Sequence, residues 1–192
     1  AGNDCFVARA MVGDSGKVMG VDMTDVMVEK ARENAEKLNF NNVEFRKGDI
    51  EDLPIGGNQI DVVISNCVLN LVPDKEKAFA ETYRVLKSGG SFSVSDVVLK
   101  GELPENLKND AEMYAGCVSG AIQMVDYLNI IHNTGFSDIE VQKEAVVDLP
   151  DAILSKYVSE IEMEDFKTGK VGIYSITVSA TKPECTPGGG CC

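Results

Sequence analysis

The sequence is poor in the side chain on which much proton chemistry depends: a single histidine, His132, stands in 192 residues. Chemistry that runs on a histidine base is therefore disfavoured. The pattern Tyr127-Leu128-Asn129-Ile130-Ile131-His132 puts that residue on the polar edge of an amphipathic helix. No stretch approaches the roughly 20 apolar residues that a membrane-spanning helix needs. No charged-then-apolar leader opens the chain, so a cytoplasmic location and no membrane partner are expected. Basic residues are outnumbered, 18 Lys and Arg against 31 Asp and Glu, for a formal net charge of −13. An acidic surface without a basic stripe repels phosphate backbones, which argues against nucleic acid as a partner. The six cysteines show neither a CxxC pair nor the spacing of a disulfide scaffold. A chain of this length with 44% hydrophobic residues builds a core without such staples. Reduced thiols are the expectation for Cys5, Cys67, Cys117, Cys185, Cys191 and Cys192, each ordinary core material in the first instance.

Short apolar runs alternate with longer amphipathic segments, the signature of repeated βαβ units. Cys5 to Met11 reads as a helix opening after Gly2. Lys17 to Asp22 reads as a buried strand ending in an acid, and Thr24 as the N-cap of a helix from Asp25 to Leu38. Val43 to Arg46 is a further strand, and Ile60 to Ser65 is β-branched and apolar enough for a central one. Pro73-Asp74 opens a helix from Lys75 to Lys87, with Gly89-Gly90 as its stop. Ser91 to Val97 is the next strand. Glu102 to Ala115 and Met124 to Asn133 look helical, with Gly135 ending the second. Phe136 to Val147 and Gly172 to Thr181 alternate, and an antiparallel pair at one edge of the sheet is expected. The pattern defines an α/β, Rossmann-like sheet with helices on both faces. Residues 1–182 are expected to form one domain without internal repeats, and 183–192 a mobile Gly- and Cys-rich tail.

Ligands of open parallel sheets sit beyond the carboxyl ends of the strands. Gly2 allows close approach of a ligand to the backbone before a helix, and Asp22, 20 positions later, ends the next strand. There an acid accepts hydrogen bonds from ribose hydroxyls, but it serves equally as a plain helix-entry residue; the two readings balance. Gly48-Asp49-Ile50-Glu51-Asp52-Leu53-Pro54 then places Asp49 to accept from an adenine amino group. Asp61-Val62-Val63-Ile64-Ser65-Asn66 ends near a reacting centre, and Arg84-Val85-Leu86-Lys87-Ser88-Gly89-Gly90 precedes a strand.

This ordered set resembles the class I S-adenosylmethionine methyltransferases over essentially the whole chain. The resemblance implies that Gly2, Asp22, Met23, Asp49 and Ile50 line the cofactor site. Met23 would lie on the adenine face, and Asn66 would offer its backbone carbonyl to the cofactor's amino group. The family's first strand and leading GxG fall upstream of Ala1, so an N-terminal truncation is expected. Loss of a central strand leaves two neighbours with unpaired backbone groups. The 192-residue chain alone is expected to bind S-adenosylmethionine poorly.

Within that family, NDCFVA (from Asn3), SNCVLNLVPDK (from Ser65) and the segment Gly116 to Ala121 resemble the arsenite methyltransferases, as does the tail Gly188-Gly189-Gly190-Cys191-Cys192. The resemblance implies transfer of a methyl group to trivalent arsenic, a soft centre that binds thiolates and keeps a lone pair. Arsenic needs no deprotonation to act as a nucleophile, which suits a chain with one unpromising histidine. The resemblance implies that Cys5 and Cys117 match the family's catalytic cysteines, Cys117 as an As(III) ligand and Cys5 as an As(III) ligand or a disulfide partner during turnover. Cys5 stands at a helix N-terminus, where the dipole favours a thiolate. Cys67 lies beside the transfer point, with packing beneath the cofactor as its alternative role. The segment from Asp151 to Ile173, where many members hold another arsenic-binding cysteine, has none. A third sulfur then comes from glutathione or thioredoxin, which would also serve as co-reductant, or from Cys191 or Cys192. A monomethylated arsenical needs only two. The tail cysteines serve equally as a soft-metal scavenger, and a monomer is expected. Two alternatives stand beside this reading: a quinone or other small-molecule C-methyltransferase, and a non-catalytic thiol-based metalloid-binding protein.

Overall fold

The computed structural model describes residues 1–104, 107, 118, 120–150 and 154–184. The chain forms two compact units, Ala1–Gly56 and Gly57–Cys192.

In the first unit, α1 (Asn3–Val12) precedes β1 (Val18–Asp22), α2 (Asp25–Lys37) and β2 (Val43–Lys47). Gly2 caps α1 in the left-handed region with φ 83°, which disfavours any side chain there. A Cβ at Gly2 would also lie 2.8 Å from the Phe45 ring and 2.9 Å from that of Phe6. Helix α2 buries Val28, Ala31 and Ala35, a stripe at helical spacing, against Phe45 of β2. Thr24 holds the N-cap position but makes no side-chain cap; its hydroxyl donates instead to Asp22 Oδ1 at 2.7 Å. Strands β1 and β2 pair in parallel from Val18↔Val43 to Asp22↔Lys47. Contrary to expectation, β1 is only half-buried, because among the described residues it bonds to β2 alone.

The second unit holds a four-stranded sheet in the order β3-β4-β6-β5, from β3 (Ile60–Asn66), β4 (Leu86–Lys100), β5 (Ser137–Val146) and β6 (Gly172–Thr181). A 3-10 turn (Leu69–Leu71) and α3 (Lys75–Val85) join β3 to β4, α4 (Met124–Thr134) precedes β5, and α5 (Glu160–Lys167) precedes β6. Asp74 caps α3 by accepting from the Lys77 N–H at 2.9 Å. The helix ends at Val85 rather than Lys87, and Gly89-Gly90 belongs to the strand that follows, not to a helix stop. The reason is register: Leu86 already pairs with Ile60, and Gly90 lies so close to the Asp61 and Lys87 carbonyls that a Cβ would meet each at 2.9 Å.

Strands β5 and β6 pair antiparallel as expected, but only β5 is at the edge, because β6 also pairs antiparallel with β4 over its whole length. The short α5 between them was not anticipated. Strand β3 is not central: among the described residues it pairs with β4 alone, leaving Val62 58% and Ile64 49% exposed. The core is aromatic. Phe79 meets Phe92 at 5.7 Å and Tyr127 at 5.5 Å, while Phe136 meets Phe92 at 4.8 Å and Tyr83 at 5.0 Å. Beside it Lys182 Nζ donates to Asn58 Oδ1, Tyr83 O and Leu86 O, each at 2.8 Å, so the buried cation is fully engaged. The expected helix from Glu102 to Ala115 and the tail from Cys185 lie largely or wholly outside the described residues.

Candidate functional site

Six of the residues singled out from the sequence lie in the first unit. Asp22 and Asp49 are brought to the same end of the parallel pair, where the Gly48 N–H donates to the Asp22 carbonyl at 3.0 Å. Asp22 is exposed. Its Oδ1 accepts from the Thr24 N–H at 2.9 Å as well as from the Thr24 hydroxyl, which fixes the carboxylate at the strand tip. Its other oxygen makes no hydrogen bond among the described residues. Met23, 68% exposed, follows it, and Ile50 is half-buried beside Asp49. Asp49 Oδ1 is already engaged by the Glu51 N–H at 2.9 Å, a local turn contact that leaves one carboxylate oxygen for a ligand.

Cys5 occupies the first turn of α1, but its environment reverses the expectation of a stabilised thiolate. The thiol packs against β1, where a Cβ on Gly20 would lie 2.8 Å from Sγ, within the cluster of Val28, Ala31, Ala35 and Phe45. Burial, and then the negative charge of Asp4, push its pKa up from the usual thiol value. Desolvation outweighs the helix dipole here because the sulfur faces the core rather than the open N-terminus.

In the second unit Asn66 is the exposed last residue of β3, and Cys67 follows with φ 53°, in a region that costs a non-glycine residue energy. The Cys67 N–H donates to the Ser95 carbonyl at 2.7 Å, tying this turn to β4. His132 is exposed on α4, as expected of a helix edge. Cys117, Cys191 and Cys192 lie outside the described residues. Among the described residues no group of three or more His, Cys, Asp or Glu side chains is arranged to hold a metal ion, and no helix is long and apolar enough to cross a membrane.

The sequence reading missed a buried polar cluster under the β3 turn. Asp96 on β4 is 1% exposed and accepts from the Tyr127 hydroxyl at 2.6 Å. Burial raises its pKa to about 6, against the lowering effects of Tyr127, the backbone N–H groups of Asn70 and Val68, and the Lys75 ammonium. Lys75 is itself buried and donates to the Val72 carbonyl at 3.0 Å. The available signal was an acid inside the apolar strand Phe92-Ser93-Val94-Ser95-Asp96-Val97-Val98-Leu99.

A parallel pair with Asp22 at the end of one strand and Asp49 just beyond the other is the arrangement of a Rossmann-like domain. The chain belongs to the methyltransferase domain family, whose model matches residues 1–152. Its sequence is 40% identical over 183 residues to an arsenite methyltransferase of Halobacterium salinarum, covering 95% of this chain and 44% of that protein. An arsenic(III) S-adenosylmethionine methyltransferase from Chlamydomonas reinhardtii has a similar structure, with a TM-score of 0.78 at 32% identity, covering 97% of this chain and 61% of that one. A ubiquinone/menaquinone C-methyltransferase from Enterobacter is 40% identical over 85 residues, 44% of this chain and 34% of that protein. The chain thus spans 39% to 50% of the length of the arsenite methyltransferases it resembles.

Proposed function

We propose that this chain is the cofactor-binding domain of an enzyme that transfers a methyl group from S-adenosylmethionine to trivalent arsenic held by cysteine sulfurs, as in arsenic detoxification. The observation that carries the reading is extent: likeness to arsenite methyltransferases runs over 95% of the chain, whereas likeness to a quinone C-methyltransferase covers 44%.

The residues fit the methyl donor. Asp22 is pinned by Thr24 through one oxygen only, leaving the other to accept from ribose hydroxyls. Met23 and Ile50 offer apolar contact for a purine, Asp49 an acceptor for its amino group, and Gly2 a left-handed backbone at the start of α1. Asn66 would present its carbonyl at the tip of β3. When bound, S-adenosylmethionine supplies an electrophilic methyl carbon on a sulfonium.

Cys5 and Cys117 are the arsenic ligands in this reading. A neutral thiol such as Cys5 suits an arsenic hydroxide: the As–OH and S–H groups condense to an As–S bond and water, so no standing thiolate is required. The residues then act by positioning, which in favourable cases lowers a barrier by roughly 7–11 kcal/mol. A third sulfur, with reducing equivalents, would come from glutathione or thioredoxin or from Cys191 or Cys192, since 151–173 lacks cysteine. The domain is taken as 1–182 with 183–192 as its tail, monomeric and cytoplasmic. Among the described residues β1 and β3 each carry one unpaired edge, and the exposed Val62 and Ile64 favour a covered β3.

The deciding experiment incubates the full-length protein with arsenite, S-adenosylmethionine and glutathione and separates arsenic species by chromatography. Methylated arsenic is expected, lost in C5S and C117S. Thiol-dependent arsenite binding without methylation would mark a metalloid-binding protein. Activity untouched by both substitutions would point to a small-molecule C-methyltransferase.

A further inference from the structure

The buried acid on β4 holds a turn that is not its own. The Cys67 N–H bonds to the carbonyl of Ser95, and the N–H groups of Val68 and Asn70 face the neighbouring Asp96 carboxylate without closing a hydrogen bond to Oδ1. Tyr127, 1% exposed on α4, donates to Oδ2 at 2.6 Å and holds the carboxylate from the opposite side. The turn so held begins at Asn66, the tip of β3. Its outer surface carries a second segment: a Cβ on Gly120 would lie 2.6 Å from the Asn70 carbonyl oxygen, and Gly120 adopts φ +76°. That contact packs the Val118–Ala121 turn, closed by Ala121 N–H to Val118 O at 3.0 Å, directly on the 3-10 turn. Gly120 stands three residues after Cys117.

We propose that Asp96 is a positioning residue: its buried carboxylate, oriented by Tyr127, sets the Cys67–Leu71 turn and through it both the Asn66 tip and the segment that follows Cys117. The methyl-acceptor side of the site is thereby registered to β4 by one acid. This rests on the functional reading for its effect on catalysis, but not for its effect on the backbone. A neutral amide at 96 still accepts from Tyr127, yet it turns N–H donors toward the N–H groups of Val68 and Asn70 and pushes the turn away. The groups that titrate against Asp96 are Tyr127 from α4 and Lys75 from α3; across the sheet, β6 brings Ile176 opposite it. With the carboxylate titrating at about 6, protonation below that pH removes the negative charge that the Val68 and Asn70 N–H groups face.

The test compares D96N and Y127F with wild type in the full-length protein by amide hydrogen exchange and by the pH profile of arsenite methylation. D96N is expected to speed exchange at 67–71 and 118–121 at least tenfold while leaving α2 unchanged. It is also expected to lower kcat on the order of 10²-fold with little change in KM for S-adenosylmethionine. Y127F, which removes a hydrogen bond that favours the charged acid, is expected to move the acid limb of kcat to higher pH. Unchanged exchange at both turns in D96N, or in Y127F should D96N not fold, would overturn the proposal. So would a kcat and pH profile equal to wild type in both variants. Absence of arsenite methylation by wild type would sink the functional reading instead, and the exchange result would still decide the role of Asp96.

Discussion

In the unit Ala1–Gly56 the acids singled out as ligand contacts are exposed, and each pins only its own turn: Asp22 holds Thr24, and Asp49 holds Glu51. In the unit from Gly57 the decisive acid, Asp96, is buried among aromatics and bears on residues far away in sequence. The first arrangement suits recognition, because an exposed carboxylate already fixed in direction loses little on meeting a ligand hydroxyl. The second suits registration, because a buried negative charge favours the Tyr127 hydroxyl that donates to it and the N–H groups that face it.

The comparison breaks most visibly at Phe79, which is fully buried between Phe92 and Tyr127. Phe79→Ala is expected to cost about 3–5 kcal/mol of second-unit stability, read from urea denaturation. A loss under about 1 kcal/mol would mean that the aromatic core does not set that unit's stability.

Asp96 sharpens the contrast through pH. Its folded pKa of about 6 lies above the ordinary 3.8, so the folded state holds the proton more tightly than the unfolded chain. Its contribution is therefore most favourable below about pH 4 and is lost as pH rises through 6, by up to about 3 kcal/mol. The difference in unfolding free energy between wild type and D96N, followed from pH 4 to 7, should trace that decline. A flat difference would contradict the burial of the charge.

Asp22→Ala is expected to weaken S-adenosylmethionine binding by the full-length protein by about 10- to 100-fold, from the loss of hydrogen bonds to a charged acceptor worth about 1.5–3 kcal/mol. Calorimetry reads the affinity, and denaturation should show little change because the residue is exposed. Gly20→Ala tests the thin first-unit core: the new Cβ would meet the Phe45 ring at 2.6 Å and Cys5 Sγ at 2.8 Å. A cost of about 1–3 kcal/mol is expected, along with altered alkylation of Cys5 by iodoacetamide. The smallest effect belongs to the exposed pair Lys47 and Asp25, 2.6 Å apart. Lys47→Ala should cost less than about 1 kcal/mol, and that only at low salt.

The elements that were legible are those whose signal is local. Val28, Ala31 and Ala35 at helical spacing mark α2, Asp74 caps α3, and Gly135 ends α4 in the left-handed region with φ 106°. The positions of Asp22, ending β1, and Asp49, two residues beyond β2, were likewise visible, because both strands are marked by local patterns. Cys5 was located correctly and its protonation misjudged, since helix position is written in sequence and desolvation by Phe45 and Ala31 is not.

The sequence by itself determined most of the order of strands and helices and the acids Asp22 and Asp49 at or just beyond the ends of the first two strands, which follow from periodicity and chain-local turns, while the family showed through the resemblance of its motifs. Tertiary structure alone decided that β3 pairs on one side only among the described residues, that α3 yields to strand at Leu86, and that Asp96 lies beneath the turn after Asn66. Each of these depends on hydrogen bonds and burial between residues distant along the chain. Pairing and desolvation of that kind leave no periodic trace in the residues themselves.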